Sequence, residues 1–99
     1  ITAAETNTLL SPGATETLII KSLRVTNKSG SNTPTITIKN NGFEIVNTQT
    51  LSTGASVEIL TLPLIVEGST SLTAITAGTV SDGVVVGISY LDINKEITT

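Results

Sequence analysis

Apolar residues recur in this chain at every second position, in short runs closed by Gly, Pro, Asn and Asp. That period of two dictates β-strands. The clearest stretch is Thr35-Ile36-Thr37-Ile38-Lys39, followed by Asn40-Asn41-Gly42 and then Phe43-Glu44-Ile45-Val46. An Asn-Gly pair between two alternating runs predicts a type I′ hairpin, because both central residues must take positive φ. Ile36, Ile38, Phe43 and Ile45 are expected to point inward. Residues 17–26 form another strand after a Pro12-Gly13 turn, with Ile19, Leu23 and Val25 on one parity and Ile20, Ser22 and Arg24 on the other. Residues 27–34 hold no apolar side chain apart from Pro34 and read as an exposed loop.

Further strands are expected at Val57-Glu58-Ile59, Leu64-Ile65-Val66, residues 71–76 and residues 84–93, with polar turns at 47–54 and Ser81-Asp82-Gly83 between them. In the last strand Val84, Val86, Ile88 and Tyr90 share one face, and Val85, Gly87, Ser89 and Leu91 the other. No segment keeps a helical period with caps. The expectation is an all-β chain: one antiparallel β-sandwich domain over 1–99, jelly-roll-like, with about seven to eight strands. Residues 1–8 and 94–99 are expected to be extended or frayed. The expected core is Ile19, Leu23, Val25, Ile36, Ile38, Phe43, Ile45, Val57, Ile59, Leu72, Val84, Val86 and Ile88.

Composition removes most chemistries. The 99 residues contain no Cys, His, Met or Trp, so disulfides, thiolate or imidazole metal ligands and a histidine base are all excluded. Phe43 and Tyr90 are the whole aromatic complement, too few for a base-stacking platform. Five basic residues against eight acidic ones, with no basic stripe, argue against nucleic acid as a partner. No basic-then-apolar leader is legible and no apolar run approaches membrane-spanning length, so no membrane partner is expected.

The carboxylates Glu5, Glu16, Glu44, Glu58, Glu67, Asp82, Asp92 and Glu96 show no spacing that selects an acid–base pair. Asp82-Gly83 is a lone acidic turn rather than a calcium loop. A hydroxyl nucleophile would need a lysine base; Ser22 beside Lys21 is the nearest pairing, and it sits on a plain strand. No phosphate-cradling glycine loop occurs. Asn27-Lys28-Ser29 matches a glycosylation sequon, and Tyr90 with the loop 27–33 is the best available glycan contact. The expectation is a non-enzyme with no catalytic, cofactor-binding or metal-binding residue and no cofactor.

A physical feature points elsewhere. Ile19 with Ile20, Ile45 with Val46, Ile59 with Leu60, and Val84 to Val86 place apolar side chains on both faces of their strands. A small sandwich has one interior layer, so the second apolar parity calls for cover by loops or by another subunit.

The order of these segments resembles small β-sandwich structural proteins of tailed bacteriophages. The stretches that carry the resemblance begin with Ser11-Pro12-Gly13, Ile20–Ser29 and Thr35-Ile36-Thr37-Ile38. They continue with Gly54-Ala55-Ser56-Val57, Leu64-Ile65-Val66-Glu67-Gly68 and Val84–Tyr90, so that residues 9–93 are covered. The chain departs from the pattern at Gly68-Ser69, where an acidic residue often follows the glycine. The resemblance implies a multi-copy virion protein, first of all a capsid decoration or cement protein, with a collar, tail or fibre-associated module as the alternative. It further implies self-association as a homotrimer or other oligomer, contact with the major capsid protein, and residence in the virion. A carbohydrate-binding or adhesive β-sandwich is the competing class.

Overall fold

The computed structural model describes residues 1–80 and 82–94. Eight strands occupy them: β1 Thr6–Leu10, β2 Glu16–Asn27, β3 Thr35–Asn40, β4 Phe43–Thr50, β5 Ser56–Glu58, β6 Leu64–Val66, β7 Leu72–Ala77 and β8 Val84–Asn94. No helix is present among the described residues. All pairings are antiparallel and build two sheets. One has the order β1-β7-β3-β4. In the other, β2 is central: β8 lies along one edge, while β6 and β5 follow each other along the opposite edge. The two sheets share one core containing Leu18, Ile20, Leu23, Val25, Ile36, Ile38, Leu51, Val66 and Leu72.

The Asn41-Gly42 hairpin forms as expected, with φ of 51° and 80° at its two central residues and Asn40 opposite Phe43. Phe43 is nevertheless 75% exposed, against the expectation that it points into the core. It pairs with Asn40 at the hairpin tip and lines an open cleft with Ile65 of the second sheet, which leaves most of the ring uncovered. Ile45 is only half-buried, because the register breaks there and pairing passes from Lys39–Glu44 to Ile38–Val46. Residues 47–50, expected as turn, continue β4 through a second irregularity at Thr48, whose φ is 54°.

The facing of β2 also differs from the alternation read from sequence. Ile20 is fully buried and Ile19 half-buried. Between Ile20 and Ser22 the register against β8 shifts by one, leaving Lys21 as the extra residue of a bulge. Even-numbered Leu18 and Ile20 therefore face the core before the bulge, and odd-numbered Leu23 and Val25 after it.

Of the other expected core residues, Leu23, Val25, Ile36, Ile38, Leu72 and Val84 are buried, while Val57, Ile59, Val86 and Ile88 are half-buried against the core. Leu51, Val66, Ala74 and Val80 are buried as well, each inside or beside a segment too polar or too short to show alternation.

Thr6–Leu10, only partly foreseen as extended chain, pairs with β7. Upstream, buried Thr76 donates through Oγ1 to the Ala3 carbonyl at 2.9 Å, and Ile1 exchanges both backbone bonds with Val84 at 2.8 Å each. Ser81 and residues 95–99 lie outside the described residues, so the turn read at Ser81 and the tail beyond Asn94 are not placed.

Gly68 shows why that position admits no side chain. A Cβ there would lie 2.7 Å from the carbonyl oxygens of Gly13 and Ala14 and 2.9 Å from that of Glu16. The turn after β6 is laid directly on the turn before β2, and only glycine allows that approach.

Candidate interaction surface

The bulge at Lys21 divides the outer face of the β2 sheet in two. Beyond it, Ser22, Arg24 and Thr26 face outward opposite Ser89, Gly87 and Val85 of β8. Glu58 of β5 completes this polar half: its carboxylate accepts from the Leu23 N–H at 3.0 Å and the Ser22 hydroxyl at 3.4 Å. Arg24 Nε lies 3.7 Å from the same carboxylate, a solvent-exposed pair of little energetic weight.

Before the bulge the outer face is apolar. Ile19 of β2 lies between Ile65 of β6 and Leu91 of β8, and Ile93 stands opposite Thr17. Ile65 is 55% exposed and Leu91 48%, so a three-strand apolar row is open to water. The sequence signal for this surface was the apolar doublet Ile19-Ile20, which places apolar side chains on both faces of β2.

Round the rim from Ile65 opens a cleft of about 240 Å³ lined by Asn40, Phe43, Ile45, Ile65, Glu67 and Thr70. Asn40 closes one side by donating from Nδ2 to the Ile65 carbonyl at 2.9 Å. Its own Oδ1 is buried without a partner.

The residues weighed for chemistry are dispersed by the fold. Glu58 is committed to β2, Glu67 lines the cleft, and Asp82 is exposed. Glu96 lies outside the described residues. One carboxylate pair does assemble, and spacing gave no sign of it: cross-strand neighbours on β2 and β8 bring Glu16 to Asp92. A hydrogen bond with Glu16, then desolvation, then the like charge of Glu16 raise the pKa of Asp92 above its ordinary value.

A raised acid pKa adds native stability that is complete below the unfolded-state value and lost as pH rises through the folded-state value. Asp92→Asn is therefore expected to melt at a higher temperature than the parent at neutral pH. The difference should shrink as pH falls through the folded-state value of Asp92 and vanish below its unfolded-state value. Melting curves at low ionic strength across that range test this, and a gap that widened toward acid pH would contradict it.

The loop read as exposed is built around a buried side chain. Asn27 is 1% exposed, and its Nδ2 donates to the carbonyls of Asn32, Leu51 and Ser52 at 2.8, 3.1 and 3.2 Å. Its Oδ1 accepts from the Ser29 N–H at 3.0 Å, and Ser29 Oγ accepts from Ser31 and Asn32. The sequon asparagine is thus an internal strut, with its amide nitrogen withheld from solvent and from any sugar. Tyr90, the other residue weighed for glycan contact, sits on β8 at 47% exposure.

No family model, curated protein or solved structure matches this chain.

Proposed function

We propose that this chain is a non-enzymatic structural protein that acts in multiple copies, and that its setting is the virion of a tailed bacteriophage, as a capsid decoration or cement protein. The architecture we infer is a jelly-roll-like β-sandwich, in which early strands pair with late ones, β1 with β7 and β2 with β8. The observation that carries the reading is the apolar row Ile65–Ile19–Leu91 with Ile93, open on the outer face of a sheet. Surface of this kind on a small domain is what an assembly contact covers. The virion setting comes from the resemblance to phage sandwich proteins.

Cosedimentation with undecorated tailed-phage capsid shells tests the function. Saturable binding at a fixed number of copies per capsomer, lost in an Ile19→Lys variant that keeps its melting temperature, is the expected result. Binding to isolated tails or collars instead would move the protein to the alternative virion position. Glycan binding by a monomer, with no affinity for any virion part, would overturn the reading.

A further inference from the structure

We propose that the free edge of β8 takes a second copy of this chain by antiparallel strand addition about a two-fold axis, with Leu91 facing Leu91 of the second copy. The inference goes beyond the assembly role above: it names one contact and its symmetry, and it stands whether or not a capsid is the final site.

Backbone alternation identifies the groups on offer. On β2, Leu23 accepts from Ile59 at 2.8 Å and Asn27 donates to Ala55 at 2.9 Å, both toward the β5 side. Ser22, Arg24 and Thr26 therefore turn their backbone groups toward β8 and engage Ser89, Gly87 and Val85. The even-numbered residues of β8 point the other way. Val84 confirms this, because it spends both its groups on Ile1 across that outer edge. Beyond this one rung, Val86, Ile88, Tyr90 and Asp92 present N–H and C=O groups with no strand partner among the described residues. The rung to Ile1 also shows that the edge accepts antiparallel chain.

The remaining edges are blunted. β5 and β6 have three residues each, and the Ile65 carbonyl is taken by Asn40. β4 is broken by two register shifts, and β1 is five residues long. β8 runs for eleven residues with no Pro, no Lys and a single charge, Asp92. Apart from that one charge it has no proline, lysine or bulge of the kind that keeps an edge from pairing.

A second copy is the fitting occupant because an antiparallel edge is self-complementary under a two-fold axis. Centring the axis on Leu91 joins the row Ile65–Ile19–Leu91 to its counterpart, making one continuous apolar band across both molecules. It sets Tyr90 opposite Asp92 of the second copy and Ile88 opposite its Asn94, clear of the rung that Ile1 fills. Centring on Asp92 would oppose two like charges, which is destabilising.

The chain has no cysteine, so single-cysteine variants read the register directly. Residues opposed across the axis have Cα atoms about 4.5 Å apart, within the span of about 4.4–6.8 Å that a disulfide bridges. Under mild oxidation Leu91→Cys is expected to become a covalent dimer. Ser89→Cys and Ile93→Cys should each remain uncrosslinked alone and crosslink when mixed.

On the backbone Tyr90→Pro removes only an outward N–H, which an edge strand tolerates, and Tyr90→Ala controls for the lost side chain. The proline variant should halve the solution mass by light scattering while keeping the parent circular dichroism spectrum. Equal crosslinking at all three positions, a monomer at every concentration, or a trimer unaffected by Tyr90→Pro would overturn the proposal. A parent chain that stayed monomeric yet saturated capsid shells would sink the edge contact and leave the assembly role standing.

Discussion

Ile38→Asp is expected to leave the domain unfolded at neutral pH, with no cooperative transition in urea. Ile38 is fully buried on β3, an interior strand flanked by β7 and β4, with Ala74 and Val46 as its cross-strand partners. Removing its apolar contacts costs about 2–5 kcal/mol on the scale of core truncations. The carboxylate adds several kcal/mol more, either as an unsolvated charge or as the work of protonating it. A domain of this size has about 5–15 kcal/mol in total, so the two losses together consume its stability.

The penalty carries a pH signature. A carboxyl buried there has its pKa raised, so the variant recovers stability as pH falls below the folded-state value and loses it as pH rises. Ile38→Val, which trims one methyl, should cost only about 1 kcal/mol and stay folded. Val86→Asp separates position from chemistry. Sequence alternation gave Val86 the same standing as Ile38, but Val86 is half-buried on an edge strand, where a carboxylate can reach water. That variant should remain folded with a lowered melting temperature. A wild-type urea midpoint for Ile38→Asp would mean that β3 faces the other way.

How far the sequence revealed the fold follows from where the period of two survives. The β3–β4 hairpin was legible because Asn41-Gly42 sets the turn and its first rung, Asn40 opposite Phe43. The face of β8 was legible because its alternation runs unbroken, with Val84, Val86, Ile88 and Tyr90 on one side. β2 defeated the same reasoning. Alternation counted from Ile19 carries straight through Lys21, whereas the chain inserts a residue there and changes parity. A single strand holds no record of such an insertion, since a bulge is defined by the partner it slips against. Phe43 failed for a related reason: it shares a side with Asn40, but its ring is 75% exposed, and what packs on a hairpin tip is not recorded in the alternation.

The interaction surface was legible in kind and not in place. Apolar residues on both parities foretold uncovered surface, and one such doublet, Ile19-Ile20, does lie directly before the bulge that bounds it. Which strands would lie beside Ile19 was not in the local pattern. Leu91 and Ile65 come from far along the chain and meet it only through pairing. The Glu16–Asp92 pair arises in the same way, from cross-strand contact between distant segments.

The second large effect is expected at Asn27, through a change of one atom. Asn27→Asp keeps the shape of the side chain and turns its donor into an acceptor. The amide offers two hydrogens to three carbonyls, those of Asn32, Leu51 and Ser52, so one hydrogen is shared. A carboxylate in its place points negative charge at three carbonyl oxygens from inside a buried site. The lost bonds and the stranded acceptors together should cost about 3 kcal/mol or more.

Only the Ser29 N–H remains as a partner, on the opposite oxygen. Because the site joins the end of β2 to the loop before β3 and to the Leu51-Ser52 segment, its loss should loosen those three pieces together. Hydrogen exchange is expected to rise first at Ser29, Asn32 and Leu51, whose N–H groups bond within this cluster or to Pro34. Lowering the pH restores a proton to the aspartate and with it one donor, so the deficit against the parent should shrink in acid. Asn27→Ala provides the contrast: it strands the same carbonyls without the charge, so its deficit should be smaller and flat with pH. If the Asp and Ala variants lost equal stability at every pH, the three carbonyls would not be what holds Asn27 in place.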